Sequence, residues 1–261
     1  MSGYIPFKEI PSHLPLVSGD SVLIGSDVLS LAVAAQAHGE MFDVQEFLEA
    51  IYRQISPRGE GTLLLPGFNF DFCSGGGFHY QKSAPQTGAL SRAAWQSASG
   101  FIRTQHPIHS FFVKGKDAAM LAERNNKSSF GSNSPFEYLH KKPAKMLLIG
   151  VGYQGAFTFA HYVEEIEQAD YRYAKTFHNQ YTDEAGKTSQ REYSMYVRDL
   201  EKGVESDLDP IGESLDWFAA QKMINDTTFR VLSLDKAYQV IAQDIQENGG
   251  KKLYRIAEKS R

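Results

Sequence analysis

The chain of 261 residues carries a single cysteine, Cys73, so no disulfide can close within it, and a reducing, cytoplasmic setting is expected. Its longest apolar run, Met146 to Val151, falls far short of the ~20 residues that cross a bilayer, so no membrane span is expected. Met1 to Ile10 lack the apolar stretch of a signal peptide. A basic surplus is also missing: 27 Lys and Arg stand against 31 Asp and Glu, a net charge of −4. Nucleic acid is therefore not expected as the main partner, because phosphate binding draws on excess positive charge. The G-x-S-x-G of serine hydrolases, a Walker motif and a Cys-rich zinc pattern are absent as well. What is present, 42% hydrophobic and 12% aromatic residues, suits a globular core rather than a disordered tail.

Periodicity organises the chain. Val22-Leu23-Ile24 reads as a strand, and a helix from about Asp27 to a stop at Gly39 follows. Asp43-x-x-Glu46 is a capping box opening a helix with Val44, Phe47, Leu48, Ile51 and Ile55 on one face. Thr62 to Leu65 is a strand ended by Pro66. Gly88 to Ala98 is predicted helical, His109 to Val113 a strand, and Ser134-Pro135-x-Glu137 caps another helix. A buried strand over Lys145 to Gly150 and a helix over Phe157 to Ala169 follow. Beyond Asp170 the chain is richer in strands, with alternation over Arg191 to Val197, a strand at Phe229 to Ser233, and a helix capped by Asp235. The expected fold is α/β: one domain over 1–261, a three-layer sandwich with a central mixed sheet and an antiparallel C-terminal addition from about residue 171.

Between Gly67 and Pro85 periodicity fails, and five aromatics, Phe68, Phe70, Phe72, Phe78 and Tyr80, surround Ser74-Gly75-Gly76-Gly77. A loop this long in a compact domain is usually functional, so Phe68, Phe72, Phe78 and Tyr80 are candidate walls of a substrate site. Gly150-x-Gly152-x-x-Gly155 follows a strand but lacks the second strand of a dinucleotide fold, leaving a turn where bulky groups approach backbone. Thr158-x-x-His161-x-x-Glu164 sits at helical spacing, which places a carboxylate beside an imidazole, the base-and-orienter pair of acyl transfer. His106-Pro107-x-His109-Ser110 could present donors at a strand start; no third ligand has metal spacing, and no metal is expected. Glu164, Glu165, Glu167 and Asp170 could form a negative mouth for a polyamine, with Glu165 its candidate contact.

In order and spacing, several pieces resemble the antibiotic N-acetyltransferase family, the aminoglycoside N3-acetyltransferases and their relatives. They are Gly88-Ala89-Leu90-Ser91, Arg103-Thr104-x-His106-Pro107-x-His109-Ser110-Phe111, Lys114-Gly115-x-x-Ala118, Ser134-Pro135-Phe136-x-x-Leu139, Leu147 to Val151, and Thr158-x-x-His161-x-x-Glu164. The resemblance covers roughly residues 8 to 260. It implies an acetyl-CoA-dependent enzyme acting on an amino sugar, with His161 as catalytic base, Glu164 as its orienting carboxylate, and Thr158, His109 and Ser110 near the acyl group and the CoA arm. The family's His-Ser-Ser-Leu segment is replaced here by Gly25-Ser26-Asp27-Val28-Leu29, so Ser26, Asp27, Val28 and Leu29 are the expected CoA contacts without that histidine. The aromatic loop looks more like relatives that acylate amino sugars in surface-polysaccharide synthesis. A nucleotide-linked amino sugar, with Arg172, Lys175 and Arg191 toward phosphate, is therefore the alternative acceptor, and a non-catalytic ligand-binding relative the further one. The sequence leaves a homodimer open.

Overall fold

A computed structural model describes residues 3–96 and 100–257. In chain order the elements are β1 (Ser21–Ser26), α1 (Leu29–Ala37), α2 (Val44–Ile55), β2 (Thr62–Pro66), β3 (Phe78–His79), α3 (Ala89–Gln96), β4 (Ile102–Arg103), β5 (Phe111–Gly115), α4 (Ala118–Ala122), α5 (Pro135–Lys141) and β6 (Lys145–Ile149). They continue as α6 (Tyr153–Ala156), α7 (Phe159–Ile166), β7 (Arg172–Thr182), β8 (Thr188–Arg198), β9 (Val204–Ser206), α8 (Asp209–Asp216), β10 (Ala220–Ile224), β11 (Thr227–Ser233), α9 (Leu234–Asn248) and β12 (Tyr254–Ile256). The expected helix end at Ala98 lies outside the described residues.

Seven strands form one mixed sheet in the order β10-β11-β6-β1-β2-β5-β4. Its centre is parallel, β1 pairing with both β2 and β6, and antiparallel strands flank it on each side. The continuous apolar runs of β1, β2 and β6 belong there, because a central strand is covered on both faces. Alternation divides those runs between two cores: Leu23, Leu64, Met146 and Leu148 face one, Val22, Ile24, Leu63, Leu65, Leu147 and Ile149 the other. α5, α7 and α9 cover the first face and α2 and α3 the second, the three-layer sandwich expected from the sequence. The antiparallel addition is also present: β7 and β8 pair over eleven residues each, with β3 alongside. Antiparallel β10, absent from the sequence reading, extends the main sheet; four of its five residues are exposed, so it lacks the apolar signature of a strand.

Local chemistry sets the ends. Asp43 accepts from the amides of Gln45 and Glu46, and Ser134 from that of Glu137, as capping residues do. At α9 the cap is Ser233, which accepts from the Lys236 amide, rather than Asp235, which falls inside the first turn. The expected strand from His109 starts two residues later, at Phe111, because His109 and Ser110 turn into the interior. The expected helix over Phe157 to Ala169 is the shorter α7, Phe159–Ile166, and a separate turn of helix, α6, precedes it over Tyr153–Ala156.

Gly150 ends β6 with φ +63°, and a Cβ there would stand 2.3 Å from the Asp27 carbonyl oxygen. The turn thus presses β6 against the loop that follows β1. Gly150→Ala should destabilise the protein by about 2 kcal/mol, combining left-handed strain with the clash. Gly152→Ala, at a position with open space around it, should leave the melting temperature within a degree or two. Equal melting temperatures for the two variants would contradict the turn's role.

Candidate active site

α7 presents its catalytic-type side chains because its periodicity divides the work. Phe159, Ala160, Tyr162 and Val163 go into the core, and His161 turns to a cavity. Three residues on, one turn further, Glu164 is fully buried and its Oε2 lies 2.6 Å from His161 Nδ1. The chain then turns back through Gln168, at φ +52°, and enters β7 with Arg172, whose Nε stands 2.7 Å from the same Oε2. The guanidinium is fixed by the Tyr196 carbonyl (3.3 Å) and by the Ser206 hydroxyl (2.9 Å). One carboxylate oxygen therefore meets the imidazole of the helix through a hydrogen bond and the guanidinium of the hairpin as an ion pair.

The electrostatics follow from burial and this pairing. Burial lowers the His161 pKa below its ordinary 6.5, and the Arg172 cation lowers it further against the opposing pull of Glu164. Burial pushes Glu164 the other way, but His161 and Arg172 together hold its carboxyl below the usual range. At neutral pH the pair is a neutral imidazole beside a carboxylate. With Nδ1 engaged, Nε2 is the nitrogen left for chemistry, and the side chain keeps 22% of its surface exposed to the cavity.

That cavity, about 500 Å³, is walled by Phe68, Phe70, His109 and Phe130 on one side and by side chains of β7 and β8 on the other. Thr158 also lines it, and its hydroxyl makes no capping bond to α7. His109 is buried with Nδ1 unpartnered, and burial, then His106 and His161, keep its pKa well below 6.5. Thr158, His161 and His109 are thus brought together as the sequence indicated, with Phe68 beside them.

Other expectations change. Phe72, Phe78 and Tyr80 do not wall this cavity; they form a separate core with Ile108, Tyr181 and Tyr193 beneath the β7–β8 hairpin. Phe70, half-exposed, is the loop aromatic that joins Phe68 at the wall. The loop is tied down by buried Arg103, which donates to the carbonyls of Tyr80 (3.1 Å), Ser83 and Gly67 (3.0 Å). Arg103 also donates to Ser110 Oγ at 3.0 Å, and that hydroxyl donates to Gly67 O at 2.7 Å. Fully buried Ser110 is thereby part of the loop's scaffold and not of the cavity wall. Glu165 accepts from the Ser128 hydroxyl and Glu167 from Tyr238 and Gln246, so these two are spent within the fold, and Asp170, though exposed, does not line the cavity. Arg172, a candidate phosphate contact, is instead the partner of Glu164, and Arg191 pairs with Asp183. Cys73 does not line the cavity; burial, partly offset by Lys175, pushes its thiol up to about 11, which disfavours a thiolate route.

Ser26, Asp27, Val28 and Leu29 border a second cavity, about 530 Å³, with Gly88 and Ala89. It shares no lining residue with the first among the described residues. The two are linked through the fold: a Cβ on Gly25 would meet Ala156, two residues before Thr158. Among the described residues no group of three or more His, Cys, Asp or Glu could hold a metal, and no helix is long and apolar enough to cross a membrane.

The geometry can be compared with known proteins. A family model described as aminoglycoside 3-N-acetyltransferase matches residues 70–246. Among solved structures, aminoglycoside acetyltransferase AAC(3)-Xa superposes with a TM-score of 0.77 at 20% identity, covering 94% of this chain and 93% of that one. AAC(3)-IIb gives 0.78 at 16%, covering 95% and 99%. AAC-IIIb, solved as a binary complex with CoASH, gives 0.75 at 15%, covering 94% and 97%. No curated protein sequence matches.

Two outcomes are expected. Arg172→Met removes the cation that repels the imidazolium, so the His161 pKa should rise, read by NMR titration, and stability should fall by about 3 kcal/mol as Glu164 loses a buried partner. An unmoved His161 pKa would contradict the coupling. Burial likewise depresses four imidazoles, His161, His109, the half-buried His140 and His106, the last to about 3. Below pH 6.5 the unfolded chain therefore binds more protons than the native one, and each imidazole removes up to about 1.4 kcal/mol of stability per pH unit until its native pKa is reached. The melting temperature should fall steadily from pH 7 to pH 5; a flat profile would contradict the neutral buried histidines.

Proposed function

Since the chain belongs to the aminoglycoside 3-N-acetyltransferase family, whose members are CoA-dependent N-acetyltransferases, we propose that it moves an acetyl group from acetyl-CoA to the amine of an amino sugar with His161 as general base and Glu164 as its orienter. The observation that carries this reading is the 2.6 Å contact between His161 Nδ1 and a fully buried carboxylate, beside a cavity the imidazole lines. Glu164 keeps the proton on Nδ1, which leaves Nε2 basic, and it stabilises the imidazolium as it forms.

Acetyl-CoA supplies an activated acyl carbon. The wall of the second cavity, mainly apolar with Val28, Leu29, Phe42 and Val44 beside Ser26 and Asp27, fits an amide-and-methylene arm. Its one charged member, Asp27, turns its carboxylate to the Leu29 amide (3.0 Å). His109, with an orphaned buried nitrogen, would take a polar group of that arm or of the acceptor where both meet.

An ammonium cannot attack, so the acceptor first loses one proton to solvent. As its nitrogen bonds to the acyl carbon, His161 Nε2 takes the second proton. The Thr158 hydroxyl donates to the oxygen on which charge gathers, a contact of the kind worth ~10²-fold or more. His161 then returns its proton to the departing sulfur. The balance is one amide and one thiol formed, and one proton released.

Replacing His161 by Ala should cut thiol release by about 10²-fold or more while acetyl-CoA binding, read by calorimetry, stays within about twofold. In the intact enzyme kcat/KM should rise with pH in two steps, one with a midpoint below 6.5 as His161 becomes neutral and a second at the acceptor's own amine pKa. Full activity of the alanine variant would remove His161 from the mechanism. Binding of acetyl-CoA without thiol release from any amine would favour the non-catalytic alternative.

A further inference from the structure

Cavity charge separates this chain from an enzyme built for polycations. Three cations, Arg172, Lys175 and Arg198, line the space beside His161, and no Asp or Glu does. Arg172 is matched by Glu164, but Lys175 and Arg198 form no ion pair among the described residues. Both are exposed, and Arg198 is close enough to His161 to depress its pKa. Tyr173, Lys175 and Phe177 alternate along one face of β7, with Val197 and Met195 opposite on β8, whereas Arg198 pairs with Arg172 on the other face and reaches the cavity from the open end of the hairpin. Two neighbouring carboxylates are committed elsewhere, while Asp170, exposed on the turn before β7, does not line the cavity. Asp199 accepts from the Glu201 and Lys202 amides and pairs with Lys202 Nζ at 3.3 Å, and Glu165 is taken by Ser128.

We propose that Lys175 and Arg198 are specificity-determining residues, and that the acceptor is an amino sugar carrying an anionic group, a phosphate or a carboxylate. This rests on the preceding reading only in taking the cavity as the acceptor's site. A polyammonium would bring several like charges against two unmatched cations. An anion there gains two charge-assisted contacts, while Phe70, Tyr173 and Phe177 supply apolar surface for the sugar ring's carbon face.

The test is calorimetric binding to the full chain saturated with CoASH, using glucosamine, glucosamine 1-phosphate, 2-amino-2-deoxyglucuronate and the polycation sisomicin. At least one anionic sugar should bind about tenfold or more tightly than glucosamine, and which one it is identifies the group. That advantage should shrink severalfold as salt rises from 50 to 300 mM. The exposed double variant Lys175→Met/Arg198→Met should abolish the preference, with its melting temperature and CoASH affinity unchanged. Sisomicin binding tighter than both anionic sugars, all sugars binding alike or not at all, or a loss of CoASH affinity in the double variant would each overturn the proposal. Since the readout is equilibrium binding, the His161→Ala protein separates the two ideas: anionic preference retained without turnover leaves this inference standing, whereas turnover retained without preference sinks it alone.

Discussion

A carboxylate removed from water is tolerated only when its charge is met, and the site is arranged around meeting that of Glu164. One of its oxygens, Oε2, holds the imidazole of α7 and the guanidinium of β7 together, at 2.6 and 2.7 Å. The same contacts do structural and chemical work. They fix where the hairpin starts relative to the helix, because Arg172 is also gripped by the Tyr196 carbonyl and the Ser206 hydroxyl. They also choose which imidazole nitrogen faces the cavity. Removing Arg172 would leave the buried charge uncompensated, a loss typically of ~3–5 kcal/mol.

In the proposed mechanism the balance between the two partners sets the base. Glu164 alone would raise the His161 pKa, and a fully protonated imidazole accepts nothing. Burial and Arg172 pull the other way and win, so the ring is neutral, as the proposed acyl transfer requires. The wider field is arranged with equal economy of charge. A chain of net charge −4 turns two unpaired cations toward one cavity and folds its acidic helix end onto Ser128, Tyr238 and Gln246. Net charge is a property of the whole surface, and the field inside a pocket is decided by which side chains reach it.

Much of the scaffold was legible in the sequence because its signals are local. The caps at Asp43 and Ser134, the continuous apolar runs of β1, β2 and β6, and the helical spacing of Thr158, His161 and Glu164 each require only a few neighbouring residues. What escaped depends on distant ones. Arg172 read as a free cation, since its pairing with Glu164 needs the reversal at Gln168. The loop aromatics read as one group, yet the β7–β8 hairpin, about a hundred residues later, takes Phe72, Phe78 and Tyr80 into its own core and leaves Phe68 and Phe70 at the cavity. Ser110 read as an available donor until Arg103, seven residues before it, claimed it. The exposed residues of β10 carry no strand pattern because only one of five is buried.

The central claim is that His161 stands neutral at pH 7 with its proton on Nδ1, toward Glu164, and its lone pair on Nε2, toward the cavity. Nitrogen-15 NMR of the histidine side chains reports protonation and tautomer at each ring nitrogen directly. The account expects a protonated Nδ1 and an unprotonated Nε2 for His161 at pH 7. An imidazolium at that pH, or a neutral ring with its proton on Nε2, would contradict it.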